Sequence, residues 1–365
     1  MIFHFRSTLF FTYILIITSG CQKDKFQKTF SKVIVQDVVI DSNLSVRAID
    51  FNDEFIFYGS KDHFGKIDLN GQIKIDISEF KISKQTQNYK FDFKKKNGDL
   101  YHFRAIEKVN GDMFAMSIES PAILYKLQRK AREAKLVYEE HNPKAFYDAI
   151  AFWNDDEGIA IGDPTEDCMS IIVTRDAGET WQKLPCDQLP KIIDGEAAFA
   201  ASNSNIAIVG SKTWIATGGV KSRILYSPDK GKTWENIEIP IIQGKSTTGL
   251  YSIDFYDEKN GFGIGGDYTK PDENEKNKIR TSDGGKTWQV VADGASPGYR
   301  SCVQYVPESN AKALVAVGFK GIDYSSDGGE NWRHLSDESF YTIRFINKNE
   351  AYAAGKGRIS KLFFR

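Results

Sequence analysis

Three observations predict an all-β fold, a seven-bladed β-propeller of four-stranded blades closed by its N-terminal strand. One short turn recurs four times, glycine and aromatic residues are plentiful, and the last of a series of similar units lacks its fourth strand. The turn reads [Ser/Thr]-x-Asp-x-Gly-x-[Thr/Asn]-Trp, with Asp176 and Trp181, Asp229 and Trp234, Asp283 and Trp288, and Asp327 and Trp332 in the four copies. The aspartates lie 53, 54 and 44 residues apart, a period that belongs to repeat architectures.

The turn has a local mechanism. An Asp carboxylate accepts hydrogen bonds from backbone N–H groups just ahead of it, and the Ser or Thr hydroxyl supports the same bend. The Gly supplies the positive φ that a tight hairpin needs. The Trp then opens the following strand and buries a large face. Identical turns repeated on one rim serve folding; they are structural, and they direct the search for function to the opposite face.

Taken in order, the chain opens on a targeting segment, residues 1–20. Arg6 gives a thin positive start, residues 9–17 are apolar but too few to span a bilayer, and Thr18-Ser19-Gly20 precede Cys21. Small residues followed by Cys resemble a bacterial lipobox, with Thr18 where Leu is usual. Cys21 is therefore expected to carry a lipid and to begin a polar tether, residues 21–31. The resemblance places the protein in the cell envelope, as an outer-membrane lipoprotein facing the periplasm or the cell surface. Cys21-Gln22-Lys23-Asp24-Lys25 also resembles signals that send some lipoproteins to the surface.

Residues 32–365 form the propeller. Residues 33–40 read as a strand, with Val33, Val35 and Val38 among polar residues. Unit one starts at Val46-Arg47-Ala48-Ile49, with residues 81–99 as an insertion or long outer hairpin. Unit two starts at Phe103-Arg104-Ala105-Ile106 and has a basic turn, residues 128–134, in place of the repeated one. Units three, five and six start near Tyr147, Gly249 and Tyr299. Unit four departs from this pattern: residues 195–202 look like a helical turn or loop before the strand 205–209. The last unit runs from Phe340 to Leu362 without a fourth strand, so the strand 33–40 can complete it and remove the exposed edges.

Export places the cysteines in an oxidising compartment. Cys168 and Cys186 flank the first repeated turn symmetrically and are a disulfide candidate, with two separate buried thiols as the alternative; Cys302 reads as a small buried apolar residue.

From about Val33 onward the chain resembles the BNR/Asp-box propellers, a group that includes sialidases, sortilin-type domains and photosystem II assembly-factor-like proteins. Residues 158–164, 195–202, 266–273 and 297–301 are similar to a family of bacterial exported propellers often labelled oxidoreductase or glycosyl hydrolase. The resemblance implies the fold. It implies no assured reaction.

The enzyme labels find little in the residues. Gly261-Phe262-Gly263-Ile264-Gly265-Gly266 matches a dinucleotide fingerprint in spacing but leads to Asp267-Tyr268-Thr269-Lys270-Pro271, which is no helix start, so no cofactor is expected. The [Phe/Tyr]-Arg-Ile-Pro signature of sialidases is absent. Histidines are few, and His63 alone makes no metal site, so none is expected. A net charge of −1 implies no pull towards nucleic acid, and membrane contact is expected through the lipid anchor only.

What remains is the mouth of the central channel. Near the starts of first strands stand Arg47, Arg104, Asp148, Arg300 and Arg344, with Glu196 before unit four. Loops of the same face offer Lys61, Asp62, His63, Asp163, Asp267, Tyr268, Lys320 and Lys356. Arg47, Arg104, Arg300, Asp267 and Tyr268 are the candidate ligand-binding residues. Converging arginines can hold a carboxylate or sulfate bidentately. The bland reading is equally available: Arg/Asp pairs that seal a water-filled channel. The function expected is a binding or assembly module, monomeric, for a protein partner or glycan. The alternative is a carbohydrate-active hydrolase or lyase using Glu196, Asp163 and Asp148 as acid and base.

Overall fold

The structure, a computed structural model, describes residues 1, 29–61, 63–69, 74–76, 98, 100–129 and 134–365. Residues 2–28, on which the expected targeting segment, Cys21 and most of the expected tether fall, lie outside the described residues. So do Asp62, residues 130–133 of the basic turn, and all but Gly98 of the 81–99 insertion.

Strand β1 (Val33–Ser45) comes first in the chain and last in the ring. Blade 1 holds β2 (Ala48–Phe51), β3 (Phe55–Gly59), β4 (Phe64–Asp68) and β5 (Lys74–Asp76). Blade 2 holds β6 (Phe103–Val109), β7 (Asp112–Ser117), β8 (Ala122–Leu127) and β9 (Lys135–Glu140). Blade 3 holds β10 (Tyr147–Phe152), β11 (Gly158–Gly162), β12 (Ser170–Thr174) and β13 (Gln182–Lys183). After the short β14 (Glu196–Ala197), blade 4 holds β15 (Ile206–Val209) and β16 (Lys212–Ala216). It resumes, past the two-residue β17 (Gly218–Gly219), with β18 (Arg223–Ser227) and β19 (Glu235–Glu238). Blade 5 holds β20 (Thr248–Phe255), β21 (Gly261–Asp267), β22 (Lys278–Thr281) and β23 (Gln289–Val290), and β14 and β17 extend its sheet. Blade 6 holds β24 (Cys302–Tyr305), β25 (Leu314–Gly318), β26 (Gly321–Ser325) and β27 (Arg333–Ser336).

Blade 7 closes the ring. Its first strand is β28 (Thr342–Asn347), and β29 (Glu350–Phe364) doubles back at Gly357, where φ is +76°. The Phe364 N–H donates to the Asn349 carbonyl at 2.8 Å, so the two halves of β29 lie side by side. β1 then pairs with the second half, from Val33 opposite Phe364 to Ile40 opposite Arg358. The N-terminal strand is thus the fourth strand of the last blade. Apolar clusters fill both seams of this blade. Val315, Ile322 and Tyr324 meet Ile343, Ala353 and Leu362 on one side; Tyr352, Ala354 and Ile359 meet Val46, Ile49 and Ile56 on the other. Burial of these side chains from both neighbours makes closure cooperative rather than a simple strand addition.

The four repeated turns share one geometry. In the third copy Asp283 accepts from the Thr287 N–H at 3.0 Å and the Thr287 hydroxyl at 2.7 Å, while Gly285 N–H donates to Thr281 Oγ1 at 3.0 Å. The same bonds recur around Asp176, Asp229 and Asp327. The Gly lies close under the preceding blade: a Cβ on Gly329 would stand 2.2 Å from Phe262, at a φ of +89°. Each turn therefore fastens its own hairpin and also seats it on the neighbouring blade. Trp181 packs edge-on to Phe152 and Phe114, and Trp332 contacts Phe262.

The glycine run 261–266 lies within β21, as a close-packed strand. Residues 195–202 are the short β14 followed by irregular chain, with no helical turn. Cys168 and Cys186 form a disulfide with Cα atoms 5.4 Å apart; Cys186 lies in a 3-10 turn after β13 rather than on a facing strand.

Candidate functional site

The segment leading into blade 4 descends into the central channel and fills it. The run Ala-Ala-Phe-Ala-Ala-Ser-Asn-Ser, residues 197–204, carries no charge and mostly small side chains, so it fits where blades converge. Asn203 donates to the Ile106 carbonyl and accepts from the Ile150 N–H, both at 2.9 Å, joining blades 2 and 3. Ser202 Oγ donates to the Ser301 carbonyl at 2.6 Å, and Thr342 Oγ1 donates to the Ser202 carbonyl at 3.0 Å, reaching blades 6 and 7. Ser204 Oγ bonds Ser252 Oγ of blade 5 at 2.8 Å. Bonds from so many sides pair polar groups that burial would otherwise leave unmatched.

Above the plug is a cavity of about 560 Å³. It opens on the face opposite the repeated turns, which sit against the first-to-second-strand loops: the Ala177 N–H donates to the Asp156 carbonyl, and the Gly284 N–H to the Lys259 carbonyl. The cavity floor is the plug itself, Ala197 to Ala201. Its wall is built from equivalent positions of the first strands. Lining up Ile49, Ile106, Ile150, Ile253, Val303 and Ile343 makes Arg47, Arg104, Asp148, Tyr251, Ser301 and Tyr341 equivalent. In β6, β10 and β20 the pairing register skips once, at Arg104, Asp148 and Tyr251. A bulge turns one side chain out of the regular alternation. These bulges turn Arg104 and Tyr251 to the mouth, whereas Asp148 is fully buried and does not line the cavity.

Arg47, Arg104, Asp163 and Tyr268 line the cavity together with Tyr251, Tyr299 and Tyr341. Arg47 lies over the Tyr341 ring, 4.2 Å from its centroid, and reaches the Ala201 carbonyl at 3.4 Å, while its Nε is buried without a partner. Burial and the nearby Arg47 charge pull Arg104 down to about 10, against the raising influence of Glu119, Asp148 and Tyr341. Among the described residues neither arginine forms an ion pair. Asp163 accepts from the Ala198 N–H at 2.8 Å, and burial, only partly offset by that bond, pushes its carboxyl up to about 6. Asp148 is fully buried, and neither carboxylate oxygen makes a full hydrogen bond. Burial and Asp163 hold its carboxyl well above the usual range, although Arg104 and the Ala200 N–H act the other way. Of the charged side chains that line the cavity, two are the guanidiniums of Arg47 and Arg104 and one is the Asp163 carboxyl.

The aromatic wall is continuous. Phe199 stacks face to face on Tyr251 with centroids 3.8 Å apart, and Tyr299 stands edge-on to Tyr251 at 4.8 Å. Phe319 lies 5.4 Å from Tyr299. At the rim Tyr268 is 48% and Phe319 37% exposed.

Six sequence-derived candidates are placed elsewhere. Glu196 is enclosed: it pairs with Arg223 at 2.5 Å and also accepts from Thr217 Oγ1 at 2.7 Å and the Ile193 N–H at 3.1 Å. Arg300 is one residue out of step with Arg47 and Arg104. Strand alternation sends it into its own blade, onto Asp323 at 2.6 Å, and Ser301 takes the cavity position. Asp267 folds into its own loop, accepting from the Thr269 hydroxyl at 2.6 Å and the Thr269 N–H at 3.0 Å. Arg344 lies against the plug, donating to the Asn203 carbonyl at 2.8 Å, near Asp50, Glu107 and Asp254. Lys320 reaches Asp272 at 3.1 Å, and His63 is buried.

Sequence reasoning missed the plug and most of the aromatic wall. The plug had a signal, an uncharged run of small residues just before the first strand of blade 4. Tyr251 and Tyr341 could have been found by aligning the units on the Ile/Val of the first strand.

No family model matches the chain, and no curated protein matches it. Solved structures do. A structure of YCF48 bound to D1 peptide is similar with a TM-score of 0.59 and 13% identity, covering 93% of this chain and 97% of that one. YCF48 from Cyanidioschyzon merolae is similar with a TM-score of 0.58 and 11% identity, over 91% and 98% of the two chains. The WD40 repeats of RRP9 give 0.57 and 12%, over 92% and 98%. At such identities the likeness is one of fold.

Proposed function

We propose that this chain is an exported lipoprotein of the BNR/Asp-box type, anchored through Cys21 in the cell envelope. Its propeller acts as a monomeric binding or assembly module. The channel-mouth cavity takes a carboxylate-bearing part of a protein or glycan partner. One observation carries the reading: Arg47 and Arg104 share a concave aromatic cavity and form no ion pair among the described residues, whereas Arg223 and Arg300 are each matched to a buried carboxylate. Two partly buried like charges left unneutralised are costly, and an incoming anion relieves both. A propeller of similar fold is recorded with a bound peptide, which supports a binding role for the architecture.

The hydrolase reading is less well supported. It asks for two carboxyls open to one substrate. Of the three candidates Asp163 lines the cavity, Glu196 is spent on Arg223 and Asp148 is sealed in the scaffold.

The test is an array of carboxylate-bearing peptides and glycans probed with the full-length protein in mild detergent. Binding should be lost in the Arg47→Ala/Arg104→Ala variant with unchanged thermal stability. Binding that survives the double substitution would move the site elsewhere. Lipidation is tested separately: Cys21→Ser should release the protein from membranes, and continued retention would count against the anchor.

A further inference from the structure

We infer that the cavity binds the end of an acidic oligosaccharide, with a uronate-type carboxylate between Arg47 and Arg104 and a sugar ring against the exposed aromatic rim. This rests on the binding-module reading and narrows its ligand. Four features converge on it.

The floor is closed. Residues 197–204 are bonded to blades 2, 3, 5, 6 and 7, so no polymer can thread the channel and a ligand must enter by one end. The guanidiniums at that depth call for an anion, and their planar donors match a carboxylate.

The second feature is the supply of free hydroxyls. Tyr251 donates to the Thr247 carbonyl at 2.9 Å, but the phenols of Tyr268, Tyr299 and Tyr341 make no hydrogen bond to the described residues, although all three line the cavity. Phenol hydroxyls both donate and accept, as does each hydroxyl of a sugar. An apolar ligand would leave these groups unmatched.

Third, the rings at the rim are open to solvent. Tyr268 and Phe319 flank Tyr299 at 6.5 and 5.4 Å, and both are substantially exposed. An apolar ring beside a phenol suits a ligand that has both C–H faces and polar edges.

The fourth feature argues against an extended peptide. Peptides commonly dock by adding a strand to an open sheet edge. At the cavity floor, β14 is already paired with β17, the Ala198 N–H is bonded to Asp163, and the Ala201 N–H to the Phe199 carbonyl. No ladder is offered there.

The experiment is calorimetric titration of the full-length protein in mild detergent with a panel of short uronic acid oligosaccharides, their neutral methyl esters, and acidic peptides of similar size. The uronates should bind, with esterification weakening them roughly tenfold or more, the loss of a charge-assisted hydrogen bond. Arg104→Ala should weaken the acids by a similar factor and leave the esters unchanged. Tyr268→Ala should weaken both. Binding of esters and acids alike overturns the placement of a carboxylate between the arginines, and binding of peptides in preference to every uronate overturns the sugar assignment; either leaves a binding module standing. No binding by any member, with the same melting temperature for wild type and Arg47→Ala/Arg104→Ala, defeats both. Arg104→Lys guards against misfolding: it keeps the charge, and should retain part of the acid binding.

Discussion

Glu196→Gln separates a structural carboxylate from a catalytic one. Glu196 is 2% exposed and receives Arg223 through two nitrogens, Nε at 3.2 Å and Nη2 at 2.5 Å, as well as Thr217 and Ile193. The substitution keeps the volume but removes the charge, leaving the Arg223 guanidinium buried without a counter-ion. Breaking a buried pair from one side costs about 3–5 kcal/mol. For a chain of 365 residues the unfolding entropy is roughly 0.8 kcal/mol/K, so the melting temperature should fall by about 4–6 °C. Replacing both partners, as Glu196→Gln with Arg223→Met, should recover much of that loss, because no orphaned charge remains. Scanning calorimetry at neutral pH measures all three proteins. A single variant within about 1 °C of wild type would refute the structural assignment. So would loss of a hydrolytic activity with stability intact.

Gly329→Ala places a Cβ against Phe262 in the left-handed region and should cost about 2–5 kcal/mol by denaturant unfolding. Gly294→Ala, at φ +68° with nothing within 4 Å, should cost only about 1–2 kcal/mol, and equal losses would contradict the seating of the turn on the preceding blade. Asp283→Ala removes the acceptor of three hydrogen bonds and should cost roughly 1 kcal/mol at pH 7. Burial pushes the Asp283 carboxyl up, but bonds from Thr287 and Thr281 outweigh it and hold it below its ordinary value. A depressed carboxylate stabilises above its unfolded pKa near 3.9, so variant and wild type should converge as acid titrates it, visible in melts taken across that range. Asp163 has the opposite sign. Its folded carboxyl, raised to about 6 by burial, makes the native state lose stability as pH rises from about 4 through 6. Asp163→Asn should therefore be the more stable protein at pH 7.5 and bind anionic ligands more tightly there, and the pH dependence of binding should flatten.

The propeller was legible in the sequence because its signals are local. A turn needs its Asp, Gly and Trp within eight residues, and four copies at a regular spacing report the repeat directly. Closure was legible too, since a unit without its fourth strand and a spare strand at the other end complete one another. Arg47, Arg104, Asp163 and Tyr268 were found because they follow or precede recognisable strand ends. Side-chain partnership was not legible. Arg223 takes up Glu196 from 27 residues away and Asp323 takes up Arg300 from 23, and those pairings separate paired scaffold charges from the arginines that line the cavity. Nor could the sequence tell that, of the two neighbours just before β24, Arg300 turns to Asp323 and Ser301 to the cavity, a distinction set by how the chain enters the blade. The path of residues 197–204 into the channel is the clearest case. Only the ring as a whole creates the space they fill and the hydrogen-bond partners, from five different blades, that hold them there.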